Sequence, residues 1–186
     1  MLAKSWDSLF VRLHGHKNIQ SPVLYELLQN MKKLALMGRS EAGKTTLTQA
    51  LKGEKIHYHK TQYVNNFDAI IDTPGEYAQT KGLGHALALY TYEADIVGLL
   101  FSAVEPYCLF PPCCTCMANR EVIGIVTKIN DPQANVERAA SWLRLAGCKK
   151  IFYVDSNIHE GVADLLEYLR EEGDIMPWER GKMESQ

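Results

Sequence analysis

The apolar run Leu34-Ala35-Leu36-Met37 leads directly into Gly38-Arg39-Ser40-Glu41-Ala42-Gly43-Lys44-Thr45. Two glycines enclosing four residues, followed by lysine and threonine, form the phosphate-loop pattern, and a strand before it and a helix after it are the context that pattern needs. The spacing has a physical purpose. Gly38 and Gly43 let the backbone wrap an anion so that the N–H groups of Arg39, Ser40, Glu41, Ala42 and Gly43 point inward. Lys44 brings positive charge to the terminal phosphates, and the Thr45 hydroxyl can ligate Mg²⁺. Thr46-Leu47-Thr48-Gln49-Ala50-Leu51 reads as a helix whose N-terminal dipole adds to the same site. The expected ligand is a nucleotide, ATP or GTP, held with Mg²⁺.

The 186 residues suit one domain with a sizeable core. A net charge of −2 with no basic block argues against nucleic acid as a partner. No apolar run reaches the roughly 18 residues of a membrane span, so no membrane partner is expected either. The N-terminus lacks the apolar core of a secretion signal. Five cysteines, an odd number, then point to reduced thiols in a cytoplasm. Three of them crowd into Pro111-Pro112-Cys113-Cys114-Thr115-Cys116, but no second ligand pair completes a metal pattern, and a plain loop-to-helix segment is expected there.

From Met31 onward strand-like and helix-like stretches alternate. Candidate strands are Lys33–Met37, Phe67–Ile71, Ile96–Phe101, Val122–Val126 and Ile151–Val154, short apolar runs of the kind buried on both faces. Gln62-Tyr63-Val64 is a weaker strand, expected antiparallel at the sheet edge. Helical patterns cover Thr45–Leu51, a segment around His85–Tyr92, Asn135–Ala146 closed by Gly147 as a C-cap, and Gly161–Arg170. The alternation predicts an α/β domain, a mostly parallel sheet flanked by helices, over residues 31–171. Residues 172–186 form a polar, peripheral tail.

Residues 1–30 stand apart. Leu2, Trp6, Leu9, Phe10 and Leu13 share one face of an amphipathic helix, and Ser21-Pro22 opens a second short one. Three readings remain: a helix that docks a partner, a segment packed on the domain's own surface, or a start-site artefact, since Met31-Lys32-Lys33 would make an ordinary beginning.

A second motif supports the first. Ile70-Ile71-Asp72-Thr73-Pro74-Gly75 puts a carboxylate at a strand end, where Asp72 holds Mg²⁺, and then Gly75, whose amide can meet the terminal phosphate. Thr61 lies between the motifs, either as the switch threonine that caps Mg²⁺ or as an exposed loop threonine. Thr127-Lys128-Ile129-Asn130 follows the Val122–Val126 strand at the position of a base-reading loop. Lys128 can lie along the base plane. Guanine readers end this motif in aspartate, whose two acceptor oxygens match two N–H donors; Asn130 offers one acceptor and an NH₂. Asp131 comes one place too late. Ser156, in Asp155-Ser156 after the last strand, fits the loop that backs the base.

Gly-Lys-Thr-Thr-Leu (43–47), Lys-Thr-Gln (60–62), Asp-Thr-Pro-Gly-Glu-Tyr (72–77) and Thr-Lys-Ile (127–129) together resemble a small Ras-like P-loop protein, and more narrowly the EutP/PduV family. The resemblance covers about Met31 to Arg170. It implies a compact Ras-like fold, nucleotide binding, and work alongside ethanolamine and propanediol utilisation in bacterial microcompartments. Shell or core proteins of such a compartment are then candidate partners for the N-terminal helix. Some family members are described as ATP-dependent acetate kinases, and others as weakly active GTPase-like or positioning proteins. The cysteine cluster and Asn130 depart from the family pattern.

Two function classes follow. In one, the protein is a phosphotransferase using ATP, Mg²⁺ and a carboxylate such as acetate. In the other, it is a nucleotide-dependent switch or positioning module whose loops around Thr61 and Gly75 order for a partner. The catalytic candidates are Lys44 and Glu76. Glu76 stands where hydrolases place a water-orienting glutamine, and its charge opposes the γ-phosphate, which predicts slow hydrolysis. Arg39 is a further cation for bringing two anions together, or a solvent-facing side chain. Lys81 and His85 fall near the acceptor region without a motif to support them, and His57 and His59 read as part of a mobile loop.

Overall fold

The computed structural model describes residues 31–52, 70–72 and 92–171. Its strands are β1 (Leu34–Met37), β2 (Ile70–Asp72), β3 (Ile96–Ser102), β4 (Glu121–Thr127) and β5 (Ile151–Tyr153), and its helices are α1 (Lys44–Lys52), α2 (Val136–Ala146) and α3 (Val162–Leu169). A short 3₁₀ turn, Cys114–Met117, lies between β3 and β4. All neighbouring strands run parallel, in the order β2-β1-β3-β4-β5.

The strands are apolar throughout because both faces are covered. Alternate residues of β1 go to opposite sides: Leu34 and Leu36 join Leu47 and Leu51 of α1 and Leu165 and Leu169 of α3. Ala35 and Met37 join Ala139, Leu143 and Ala146 of α2 on the other side. Period-2 strands therefore carry two cores, and each helix supplies one apolar stripe. In α2 the stripe is Ala139, Ala140, Leu143 and Ala146. Asn135 is the N-cap rather than the first helical residue, its side chain accepting a hydrogen bond from the Arg138 amide. Gly147 is the expected C-cap, with φ 107°.

Strand and helix expectations hold to within a residue or two at their ends wherever they fall on described residues. β4 runs on to Thr127, so the first residue of the Thr127–Asn130 motif is still in the sheet. Gln62–Val64, residues 1–30, the tail from 172, and the segment 85–92 apart from helical Tyr92 lie outside the described residues.

The strand order positions the site. β1 lies between β2 and β3, so the chain leaves β1 toward one edge and later returns on the other side of it. A crevice opens beyond the carboxyl ends at such a switch point, and residues 38–43 leave β1 there. This is the α/β architecture of a Ras-like P-loop domain.

Candidate nucleotide-binding site

Close approach to β3 explains why the loop begins with glycine. A Cβ on Gly38 would stand 2.6 Å from the carbonyl oxygen of Leu100, in the middle of a buried strand. Gly43 ends the loop at φ 93°, a left-handed conformation, with Thr127 of β4 packed 3.5 Å from where its Cβ would be. Thr127 Oγ1 also donates to the carbonyl of Ala42 at 2.6 Å, tying the loop to the end of β4. The Ala42 amide bonds back to Arg39 O at 3.1 Å, and Glu41 takes up φ 67° to complete the curve.

Lys44 closes the arch. Its ammonium donates to the carbonyls of Gly38 and Arg39, each at 2.9 Å, and the residue is buried. The positive charge is thereby held across the loop mouth. Thr45 and Thr46 follow in the first turn of α1, half-buried, as is Ser40. That first turn carries no acidic residue, so the helix dipole is not cancelled by a carboxylate of its own.

Asp72 closes β2, paired in register with Leu36 of β1, so the strand carrying it ends beside the strand that enters the loop. A threonine hydroxyl and an aspartate are hard oxygen donors of the type Mg²⁺ takes. Thr61, Gly75, Glu76, Lys81, His57, His59 and His85 lie outside the described residues.

Arg39 is not simply solvent-facing. Its guanidinium pairs with Glu105 through Nη1 and lies over the Tyr107 ring, 5.2 Å from the centroid. Glu105 keeps it firmly protonated. Nothing in the sequence marks this pair, whose members are 66 residues apart.

In the Thr127–Asn130 motif, Lys128 takes φ 56° as the chain turns out of β4. Asn130 donates its Nδ2 to Glu160 Oε2 at 2.6 Å. Asp131 does not move in to replace the missing aspartate: its Oδ1 caps the amide of Gln133 at 2.9 Å within a local turn. Ser156 is buried in a loop closed by two backbone hydrogen bonds between Asp155 and Glu160, each 3.0 Å. The sequence therefore brings the phosphate loop, Asp72 and the Lys128–Asn130 segment to one end of the sheet. The partners Glu105, Tyr107 and Glu160, and the Thr127 tie, carried no local signal.

The cysteine segment is the 3₁₀ turn, packed against the end of α2 through Cys113 N and Leu145 O at 2.9 Å. Cys114 and Cys148 are buried, Cys108 is intermediate, and Cys113 and Cys116 are exposed; all five are free thiols. Burial pushes the Cys114 thiol up to about 11 and that of Cys148 up to about 12. Among the described residues no helix is long and apolar enough to cross a membrane.

Residues 31–171 match the PduV-EutP family model, described as ethanolamine utilisation - propanediol utilisation. The propanediol utilization protein PduV of Citrobacter freundii is 41% identical over 141 residues, covering 75% of this chain and 93% of that protein. Proteins named probable acetate kinase EutP from Escherichia coli and Salmonella typhimurium are each 32% identical over 142 residues, covering 75% of this chain and 89% of the relative.

Proposed function

The chain belongs to the PduV-EutP family of ethanolamine and propanediol utilisation proteins, and from that premise we propose that it is a phosphotransferase making an acyl phosphate from ATP and acetate. The observation that carries this over a guanine-nucleotide switch is the state of the base-reading loop. Asn130 is engaged by Glu160 and Asp131 by its own turn, so the motif presents no aspartate to pair with the two N–H donors of guanine. The probable acetate kinase name of two relatives points the same way.

In this reading Lys44 and the loop amides bind and orient the β- and γ-phosphates. Mg²⁺, when bound, would be held by Thr45, Asp72 and Thr61 and would neutralise phosphate charge. Lys128 lies along the base and Ser156 backs it, while Glu76 discourages attack by water. Residues 1–30 dock on a microcompartment protein. A switch or positioning role is the second reading; the relative at 41% identity is named a propanediol utilization protein.

The deciding experiment is a titration of ATP, GTP and XTP, each with and without acetate, following nucleoside diphosphate release. Acetate-dependent turnover with ATP is the expected result. Tight nucleotide binding with no acetate-dependent turnover would move the assignment to the switch.

A further inference from the structure

Three cysteines crowd the 3₁₀ turn between β3 and β4, and they divide by exposure. Cys113 and Cys116 face solvent, while Cys114 between them is buried with Cys148 in the core that α2 covers. We propose that Cys113 and Cys116 are a redox-active dithiol pair, which exchanges with low-molecular-weight disulfides to close an intramolecular disulfide. Their Cys-x-x-Cys spacing is that of dithiol redox motifs. The backbone brings the pair within reach. The Cys116 amide donates to the Cys113 carbonyl at 3.0 Å, closing a turn of four residues. A turn of that kind holds its outer Cα atoms within about 7 Å, and a disulfide spans Cα atoms about 4.4–6.8 Å apart.

The turn is also anchored from beneath. The Cys113 amide donates to Leu145 O at 2.9 Å, satisfying one of the carbonyls that a helix leaves open at its C-terminus. Thr115 packs so closely on the cap of α2 that a Cβ on Gly147 would stand 2.1 Å from its Oγ1. Cys114 joins Leu143 and Ala146 in the core. Closing the pair therefore orders little that is not already ordered. The remaining thiols compete poorly. Cys114 and Cys148 are buried, and burial keeps them protonated, whereas exchange needs a thiolate. Cys108 is half-buried, its Sγ directed to Phe110 O at 3.8 Å. In the first step one exposed thiolate attacks a sulfur of the small disulfide, forming a mixed disulfide and releasing one small thiolate. The second protein thiolate then attacks the protein sulfur of that bond, forming the Cys113–Cys116 disulfide and releasing the other small thiolate. The protein gives up two electrons and two protons, and one small disulfide becomes two thiols.

The test incubates the full chain with glutathione disulfide as the probe. Free thiols are then alkylated in denaturant, and the remainder are reduced and alkylated with an isotopically distinct reagent before tandem mass spectrometry. In the wild type, Cys113 and Cys116 are expected to be lost to the first reagent together, with no glutathione bound and the other three cysteines still free. Cys113→Ser and Cys116→Ser should each stop at the first step, with one glutathione retained on the surviving exposed thiol. Wild-type protein that keeps both thiols free, carries glutathione on either, or links either to Cys108, Cys114 or Cys148 would overturn the pair. If a serine variant fails to fold, the wild-type map alone decides.

Discussion

Thr127→Val tests how the phosphate loop is held. Thr127 is 2% exposed, its hydroxyl donates to Ala42 O at 2.6 Å, and its side chain packs beside Gly43. Valine keeps the branched shape and removes the donor, leaving a loop carbonyl without the bond it had. Such a loss costs about 1–3 kcal/mol. In a domain of this size each kcal/mol lowers Tm by about 2–4 °C, so a loss near 2 kcal/mol predicts a fall of about 4–8 °C. The tied carbonyl belongs to the loop whose amides are proposed to bind phosphate, so ATP affinity is expected to weaken about tenfold, equivalent to about 1.4 kcal/mol. Thermal unfolding and calorimetric titration measure the two effects, and Thr127→Ser, which keeps the hydroxyl, is the control. A valine variant matching wild type in Tm and Kd, beside a serine variant that loses both, would show that the methyl packing holds the loop and the hydrogen bond does not.

Lys44→Ala is expected to abolish nucleotide binding in a calorimetric titration, since it removes the loop's cation and both carbonyl contacts; retained affinity would sink the site assignment. Asn130→Asp alone places a carboxylate against Glu160 and is expected to lower Tm, whereas Asn130→Asp combined with Glu160→Gln restores a donor to hold the aspartate. Competition binding should then show GTP gaining on ATP by about tenfold, the lower end of the discrimination available to a well-made pair of base hydrogen bonds. Alkylation at pH 8 followed by mass spectrometry should label Cys113 and Cys116 first. The sign follows from burial: Cys114 and Cys148, pushed up to about 11 and about 12, stay protonated and shielded, and early labelling of either would contradict the packing of the 3₁₀ turn on α2.

Much of the fold could be read locally. Leu34–Met37, Ile96–Phe101 and Val122–Val126 are apolar on both faces because each strand lies between helices, and the side-chain alternation of β1 into two cores accounts for the absence of a polar face. The phosphate loop was readable for another reason: wrapping an anion with backbone amides demands residue types at fixed spacing, and that demand is local. The partners of the site were not readable. Arg39 and Glu105 are 66 residues apart, Thr127 and Ala42 are 85, and Asn130 and Glu160 are 30, and no periodicity or motif records such encounters.

The amino-acid order by itself therefore determined that a phosphate loop joins a strand to a helix, that a parallel sheet follows, and that a carboxylate ends a second strand. These depend on neighbouring residues, whose spacing sets both backbone conformation and apolar pattern. Tertiary structure alone decided that Leu100 of β3 leaves room only for glycine at position 38, that Thr127 ties the loop, that Glu105 occupies one edge of Arg39, and that Glu160 engages Asn130. Those outcomes depend on which strand ends stand side by side. Strand order follows from how the whole chain buries its two apolar faces, a property no single segment contains.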